Sequence, residues 1–466
     1  MTACAPTDRK SAPPAATGGD RAWQAALRAA CERPAGVAAA WRAGGGQVVG
    51  LLGWSAPREL VVAAGLLPVR LSPDRIARPD GARESMAPGL ALAAGPPGDG
   101  SAAGFARELT PGTARLAAAL LSGALDWIDF LLIGRDCEAH TRLFYVLREL
   151  RRSGAAPGLP PVAFFDLLRL PSRTSARYNR QRTAELSGVI AGWSGRPVTP
   201  AGLAGAVGAA RETAHSFGRI QALRTRPQPA ITGTDALTAA IAAQVLPVTQ
   251  LRPLLAAALA AGAVPGEAVP GEAVPAARVF LAGSAVDDLT AYEALEDLGL
   301  AVVGEDHEWG DDGSEAPAVT RDPLDGIVDR YHFAHGGAAR AGLRDRVGQT
   351  AARIAAAGPD GVLYLLGPHD EAAGWELALL LQRLGADTPL VPVRLRDPGP
   401  PGAEPADSER GDREPADSER GEIERGDIER GDIERGDSAH GELREAGRRL
   451  LGALGVAGGA RAASRG

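Results

Sequence analysis

Polar turns follow several of the predicted strands, and they hold the residue types most able to do chemistry. The most informative turn is Gly134-Arg-Asp-Cys-Glu138, where Cys137 stands between a strand and a helix. Backbone N–H dipoles at a helix start favour a thiolate at Cys137; the alternative is a small residue packing a tight turn. Neither a Cys-x-x-Cys nor a Cys–His spacing accompanies it, so the residues alone predict no zinc or iron–sulfur site.

The candidate catalytic residues are Ser55, Glu59 and His369. The Ser55 hydroxyl and the N–H groups before Glu59 could hold an anion where a helix begins, although Glu59 could equally be a favourable charge in the first helical turn. His369, beside Asp370 and Glu371, could be an acid–base group, a metal ligand or a solvated loop histidine. All these residues follow predicted strands, which predicts a ligand site at the carboxyl ends of those strands.

Strands and helices alternate along the chain, and this alternation must position the polar turns. Short apolar runs predict strands, and stretches with helical spacing predict the helices between them. We therefore expect an α/β fold with two similar lobes, each a mostly parallel sheet with covering helices, facing a central cleft. The predicted strands are residues 47–52, 66–71, 127–133, 161–166, 278–282, 300–304, 361–366 and 389–395.

Composition excludes several classes of protein. The chain has 466 residues, 45% of them hydrophobic, and Lys10 is its only lysine. Without a lysine in the folded region, a Walker-type phosphate loop and pyridoxal-phosphate chemistry are excluded. Three cysteines cannot form a disulfide framework in so long a chain. The lack of an apolar run of about 18 residues, and of a secretory signal, predicts a cytoplasmic protein with no membrane partner.

An acidic low-complexity segment dominates the charge of the chain. Residues 404–437 contain 14 acidic residues and 6 arginines, a net charge of −8. Because the whole chain has a net charge of −7, the remainder carries +1. That remainder shows no basic face with interleaved aromatic residues, so we expect no nucleic-acid partner. The segment itself is predicted to be solvated, with a docking tail for a basic partner as the alternative.

Composition and periodicity together predict the domain organisation. Residues 22–41 have helical spacing, and a long helical stretch is predicted over 175–224. The predicted units are a disordered leader at 1–19, a first α/β lobe with a helical extension at 20–224, a second α/β lobe at 225–397 with a repetitive insertion at 263–275, an acidic low-complexity segment at 398–441 and a closing helix at 442–457.

An ordered series of motifs resembles one known superfamily. Residues 50–60 read Gly-Leu-Leu-Gly-Trp-Ser-Ala-Pro-Arg-Glu-Leu, a strand followed by a Pro-x-Glu-Leu helix, and a Gly-x-x-Pro turn follows at 65–68. With the later blocks, the chain resembles the 2-hydroxyacyl-CoA dehydratase and benzoyl-CoA reductase superfamily over about residues 20–397, in particular the 2-hydroxyglutaryl-CoA dehydratase D-component. The later blocks are Trp127–Glu138, Ser187–Leu203, Ile231–Gly233, Phe280–Ser284, Val302–Asp306, Asp322–Leu324, Arg330–Tyr331 and Asp360–Trp375.

The resemblance implies a lyase subunit that pairs with a homologous dehydratase subunit. Each such subunit is expected to hold a [4Fe–4S] cluster through three cysteines. A separate ATP-dependent activator would supply one electron, which the cluster would pass to the thioester carbonyl of an acyl-CoA substrate. The resulting ketyl radical would then allow the β-proton and the 2-hydroxyl group to leave as water.

The cysteine pattern of this chain departs from the resemblance. Gly53 stands where the family places its first cysteine, four residues before Pro57, and Pro368 stands near the position of the third. Cys137 is the sole matching cysteine, and one thiolate cannot hold a four-iron cluster. The cluster is therefore expected to be absent or impaired. Two hypotheses follow: a working dehydratase subunit whose ligands are not identified, and a cluster-less binding or scaffolding partner without redox activity of its own.

Overall fold

The computed structural model describes residues 22–72, 75, 109–262, 274–311, 316–332, 342–385, 388–396 and 439–456. The predicted leader at 1–19 lies outside the described residues. The same holds for residues 263–273 of the repetitive insertion and for the acidic segment up to residue 438.

The first sheet has the strand order β2-β1-β3-β4, and its neighbouring strands are parallel. The central strand β1, with the sequence Val-Val-Gly-Leu-Leu, is buried along its whole length. Such continuous apolar strands are typical of parallel sheets that are covered by helices on both faces. The strands are β1 (Val48–Leu52), β2 (Leu67–Arg70), β3 (Phe130–Gly134) and β4 (Val162–Phe165).

The second sheet repeats this arrangement later in the chain. Its order is β6-β5-β7-β8, again with parallel neighbours, so each later strand has the place of its counterpart in the first sheet. The two sheets and their helices confirm the predicted α/β fold with two lobes. The strands are β5 (Ala277–Gly283), β6 (Leu300–Glu305), β7 (Gly361–Leu366) and β8 (Leu390–Arg394).

Helices cover the faces of both sheets. Several begin at a Ser or Thr whose side chain accepts a hydrogen bond from the first helical turn, as Thr199 does from the N–H of Gly202. Within the described residues, no helix has both the length and the apolar character needed to cross a membrane. The helices are α1 (Ala22–Glu32), α2 (Pro34–Ala43), α3 (Arg58–Ala63), α4 (Pro111–Leu121), α5 (Glu138–Arg152), α6 (Arg173–Ser194), α7 (Pro200–Arg224), α8 (Gly233–Ala243), α9 (Val248–Ala261), α10 (Leu289–Asp297), α11 (Pro323–His332), α12 (Leu343–Ala357), α13 (Glu371–Leu384) and α14 (Ala439–Ala453).

Each of the two predicted helical stretches is helical and consists of two helices. The stretch over 22–41 consists of α1 and α2, which are separated at Arg33 because the following proline disfavours helical geometry at the residue before it. The stretch over 175–224 consists of α6 and α7, which are separated by Gly195 in the left-handed conformation and by the cap that starts α7.

Each lobe is completed by a helix from a distant part of the chain. Helix α1 packs against α8 and α9, and its Trp23 and Leu27 belong to the hydrophobic core that includes strand β5. Helix α11, which follows the second sheet's strand β6, packs against α6 and α7, and its Ile327 and Tyr331 belong to the core beneath β1. Helix α1 thus packs in the lobe of the second sheet, and α11 packs in the lobe of the first sheet. These contacts hold the two lobes together.

Candidate functional site

The turn after β1 and the turn after β3 are held together by one carboxylate. Asp136 accepts hydrogen bonds from the backbone N–H of Trp54 and from that of Ser55, the latter at 3.1 Å. Arg169 lies 3.6 Å from the same carboxylate and balances its charge. Asp136 thus links the turn after β1 to the turn after β3, and this link places Gly53 beside the turn that contains Cys137.

Gly53 occupies a position with almost no room for a side chain. Its φ is +83°, in the left-handed region that favours glycine. A Cβ atom at Gly53 would lie 2.6 Å from Asp136 Oδ2 and 3.0 Å from the carbonyl oxygen of Gly134. The family resemblance implies a cysteine at this position, but the Asp136 carboxylate occupies the space that a side chain at residue 53 would need.

Cys137 is paired with a histidine that the sequence analysis missed. It is exposed at the N-cap of α5, and its thiol is hydrogen-bonded to the side chain of His140. The His140 Nδ1 atom lies 2.9 Å from the Gly134 carbonyl oxygen, which fixes the ring. The prediction that no Cys–His spacing accompanies Cys137 is wrong. His140 follows Cys137 by three residues, and both lie at the start of α5.

The Cys137–His140 pair favours the charged forms of both groups. Desolvation opposes ionisation of the thiol, but the hydrogen bond and charge of His140 outweigh it and lower the pKa of Cys137. Desolvation likewise opposes the imidazolium, but the hydrogen bond from Cys137 and the nearby Asp136 raise the pKa of His140 to about 8. Both shifts are in the direction that favours a thiolate beside an imidazolium, the charged arrangement in which a cysteine is more nucleophilic.

The structure places Ser55 and Glu59 away from solvent. The Ser55 hydroxyl is fully buried against Gly134 and has no hydrogen-bond partner among the described residues. The Glu59 carboxylate is also buried; it accepts hydrogen bonds from Arg330 and, at 2.9 Å, from the hydroxyl of Tyr331. These contacts give Glu59 the role of linking α3 to α11.

The second lobe builds a similar turn with different chemistry. Gly283 ends β5 with φ +94°, as Gly53 follows β1. The Ser284 hydroxyl donates to the Asp370 carboxylate at 2.8 Å and accepts from the N–H of Gly367 at 2.8 Å. Asp370 is the N-cap of α13, the place that Cys137 has on α5. Pro368 and His369 precede this cap and are exposed.

A cleft lies between α3, α7 and α8. Its charged lining residues are Arg58, Glu59 and Arg330, and alanines of α7 and α8 form much of the rest. Trp309, from the loop after β6, closes one side and packs edge-to-face on Trp54 at 5.2 Å. The cleft is thus next to the β1 turn, but Cys137 does not line it.

The residues at these turns do not fit a [4Fe–4S] cluster held by three thiolates of this chain. Besides Cys137, the described residues include one cysteine, Cys31, which is buried and donates to the Thr238 carbonyl oxygen at 3.2 Å. The described part of the chain contains no group of three or more His, Cys, Asp or Glu side chains arranged to hold a metal ion. Gly53 has no room for a further ligand without displacement of Asp136.

The fold and the strand-end turns define a two-lobed α/β protein with a cleft next to the β1 turn. The chain belongs to the family described as 2-hydroxyglutaryl-CoA dehydratase, D-component, whose model matches residues 53–393. The match includes both sheets except for the first strand, and it confirms the superfamily resemblance seen in the motifs. No curated protein matches the chain.

Proposed function

We propose that the chain is a cluster-less subunit of a 2-hydroxyacyl-CoA dehydratase system, with a binding or scaffolding role and no redox activity of its own. In this proposal, radical dehydration of the 2-hydroxyacyl-CoA takes place on a homologous subunit that carries the full cysteine set. An ATP-dependent activator would serve that subunit. The family description, which denotes one component of a dehydratase, supports a function within a multi-subunit system.

The proposal depends mainly on one observation. In the turn after β1, the Asp136 carboxylate lies where the first cysteine ligand of a cluster is expected. The Asp136 carboxylate binds two backbone N–H groups and occupies the space beside Gly53. A cysteine at this position would have to displace a carboxylate whose hydrogen bonds hold the turn. Exposed Cys137 would remain reduced in a cytoplasm, which is the compartment we propose.

Anaerobic reconstitution with iron and sulfide tests the proposal directly. We expect the wild-type chain and Cys137→Ser to bind the same small amount of iron. A matched variant that combines Gly53→Cys, Asp136→Gly and Pro368→Cys restores three thiols and frees the space beside residue 53, so it is expected to bind more. Binding of about four irons per wild-type chain, lost in Cys137→Ser, would refute the cluster-less role.

Activity in a mixture tests the partner role. The chain is added to a homologous subunit with a full cysteine set and its activator, and dehydration of 2-hydroxyacyl-CoA is measured. We expect activity to depend on the chain and to be unchanged by Cys137→Ser. Full activity of the homologous subunit without the chain would refute the role, whereas loss of activity in Cys137→Ser would favour a working dehydratase subunit.

A further inference from the structure

The cleft between α3, α7 and α8 contains an arginine, Arg58, whose hydrogen-bond acceptors are both neutral. Arg58 Nη1 donates to the Ala243 carbonyl oxygen at 2.7 Å and lies 3.3 Å from Gln244 Oε1, and both acceptors are neutral. In the described part of the chain, Arg58 forms no salt bridge. A guanidinium has five donors in a planar fork, so these contacts leave most of its donors for a ligand.

The nearest carboxylate is already engaged elsewhere. Glu59 is bound by Arg330 and by the hydroxyl of Tyr331. The charged lining residues, Arg58, Arg330 and Glu59, therefore carry a net charge of +1. Burial lowers the pKa of Arg58; Glu59 and Tyr331 oppose this shift, and the nearby charge of Arg330 adds to it. An anion in the cleft would relieve both effects, because it would restore a counter-charge where water is scarce.

The rest of the cleft lining is mostly apolar, with Thr213 and Gln244 as its neutral polar side chains. Part of it is an alanine wall, defined here as Ala206, Ala209, Ala210, Ala240 and Ala243 of α7 and α8. Such a wall contacts a slender alkyl chain well, because a methyl side chain leaves a smooth slot. A branched chain would have to push the two helices apart, which close-packed interiors resist.

We propose that this cleft binds a short, unbranched aliphatic monocarboxylate, with its carboxylate on Arg58 and its alkyl chain along the alanine wall. Arginine and carboxylate match in geometry and form paired hydrogen bonds. A single negative charge neutralises the lining, whereas a phosphate or a dicarboxylate would bring a second charge close to Glu59. The proposal does not depend on the cluster-less role, because iron content and carboxylate binding are measured separately.

Titration calorimetry of the full chain with pentanoate tests the proposal. The controls are pentanamide, which lacks the charge, and 2,2-dimethylpropanoate, which is branched. We expect heat from pentanoate alone, and a decrease in affinity of more than about tenfold in Arg58→Gln, as for loss of a charge-assisted hydrogen bond. Arg177→Gln, at an exposed position on α6, is the matched control and should bind pentanoate like the wild type.

Ala210→Leu provides a second test, because it fills the slot and leaves every charge in place. We expect it to abolish pentanoate binding while thermal unfolding shows a folded protein. Equal binding of pentanoate and 2,2-dimethylpropanoate, or undiminished binding in both Arg58→Gln and Ala210→Leu, would overturn the proposal. No binding of pentanoate to the wild-type chain would overturn it as well.

Discussion

The Tyr331 hydroxyl lies 2.9 Å from the Glu59 carboxylate, a hydrogen bond between residues 272 positions apart in the chain. Arg330 binds the same carboxylate, so consecutive residues of α11 hold one side chain of α3. The Glu of the Pro-x-Glu-Leu motif therefore joins a helix beside β1 to a helix that follows the second sheet's strand β6. This link explains why Glu59 is buried and why Arg330 reaches the cleft.

Glu59→Gln is expected to destabilise the chain. The amide keeps the shape of the side chain but removes the negative charge from the buried pair with Arg330, and loss of one member of a buried pair costs about 3 kcal/mol or more. Urea unfolding measures the change. Glu149→Gln, which breaks the exposed pair with Arg152, is the control and should change stability little. Equal effects of the two variants would argue against the link.

Cys137 is expected to react with iodoacetamide much faster than Cys31. The lowered pKa of Cys137 and its exposure favour attack by the thiolate, whereas burial raises the pKa of Cys31 to about 12. Peptide mass spectrometry at pH 7 distinguishes the two sites. His140→Ala should slow labelling of Cys137 at pH 7, because the thiol then loses the imidazolium that favours its ionised form. Unchanged labelling in His140→Ala would show that the pair does not activate the thiol.

Gly53→Ala is expected to destabilise the first turn by about 2 kcal/mol or more. Part of the cost comes from the positive φ, and part from the 2.6 Å approach of the new Cβ to Asp136 Oδ2. Gly45→Ala separates these effects, since Gly45 has φ +79° and no atom within 4 Å of a Cβ built there. Thermal unfolding of both variants gives the difference. A smaller loss of stability in Gly53→Ala than in Gly45→Ala would contradict the interpretation that a side chain at residue 53 is crowded by Asp136.

Stability is expected to fall on acidification because His307 is buried in its neutral form. Burial lowers the pKa of His307 to about 3, with Asp311 opposing the shift and Arg224 and Arg346 adding to it. Neutral His307 contributes fully to the free energy of unfolding above pH 6.5, the ordinary pKa of histidine. This contribution is lost as the pH falls toward 3, by up to about 1.4 kcal/mol per pH unit.

His307→Gln removes this titrating group and should flatten the decline in stability between pH 6 and pH 4. Denaturant unfolding at several pH values measures the slope. His215→Gln is the control, because His215 is exposed on α7. If the slopes of wild type and His307→Gln coincide, the acid sensitivity comes from other groups.

Much of the fold could be predicted from local sequence. All eight strands of the described residues lie within three residues of their predicted bounds, because buried parallel strands are short apolar runs between polar turns. Helix α8 was missed, since nearly all of its residues are buried and it has no polar face to give a helical period. Helices α9 and α11 were missed as well.

The candidate site was only partly predictable. His140 was within reach of sequence reasoning, because its spacing from Cys137 places both at the start of α5. The contact of Glu59 with Arg330 was not, since no local pattern marks a pair 271 residues apart. The same holds for the Asp136 contact with the first turn, which depends on how neighbouring strands end.

Because the two sheets have the same strand order, each turn of one lobe can be compared with its counterpart in the other. In the second lobe, the residue that precedes the sheet-covering helix is Asp370, whose carboxylate caps that helix and binds Ser284. In the first lobe the same place holds Cys137, which caps nothing with its side chain. The same position in the two halves of the polypeptide thus holds a side chain that secures the start of its helix in one half, and in the other half a thiol that forms no such hydrogen bond.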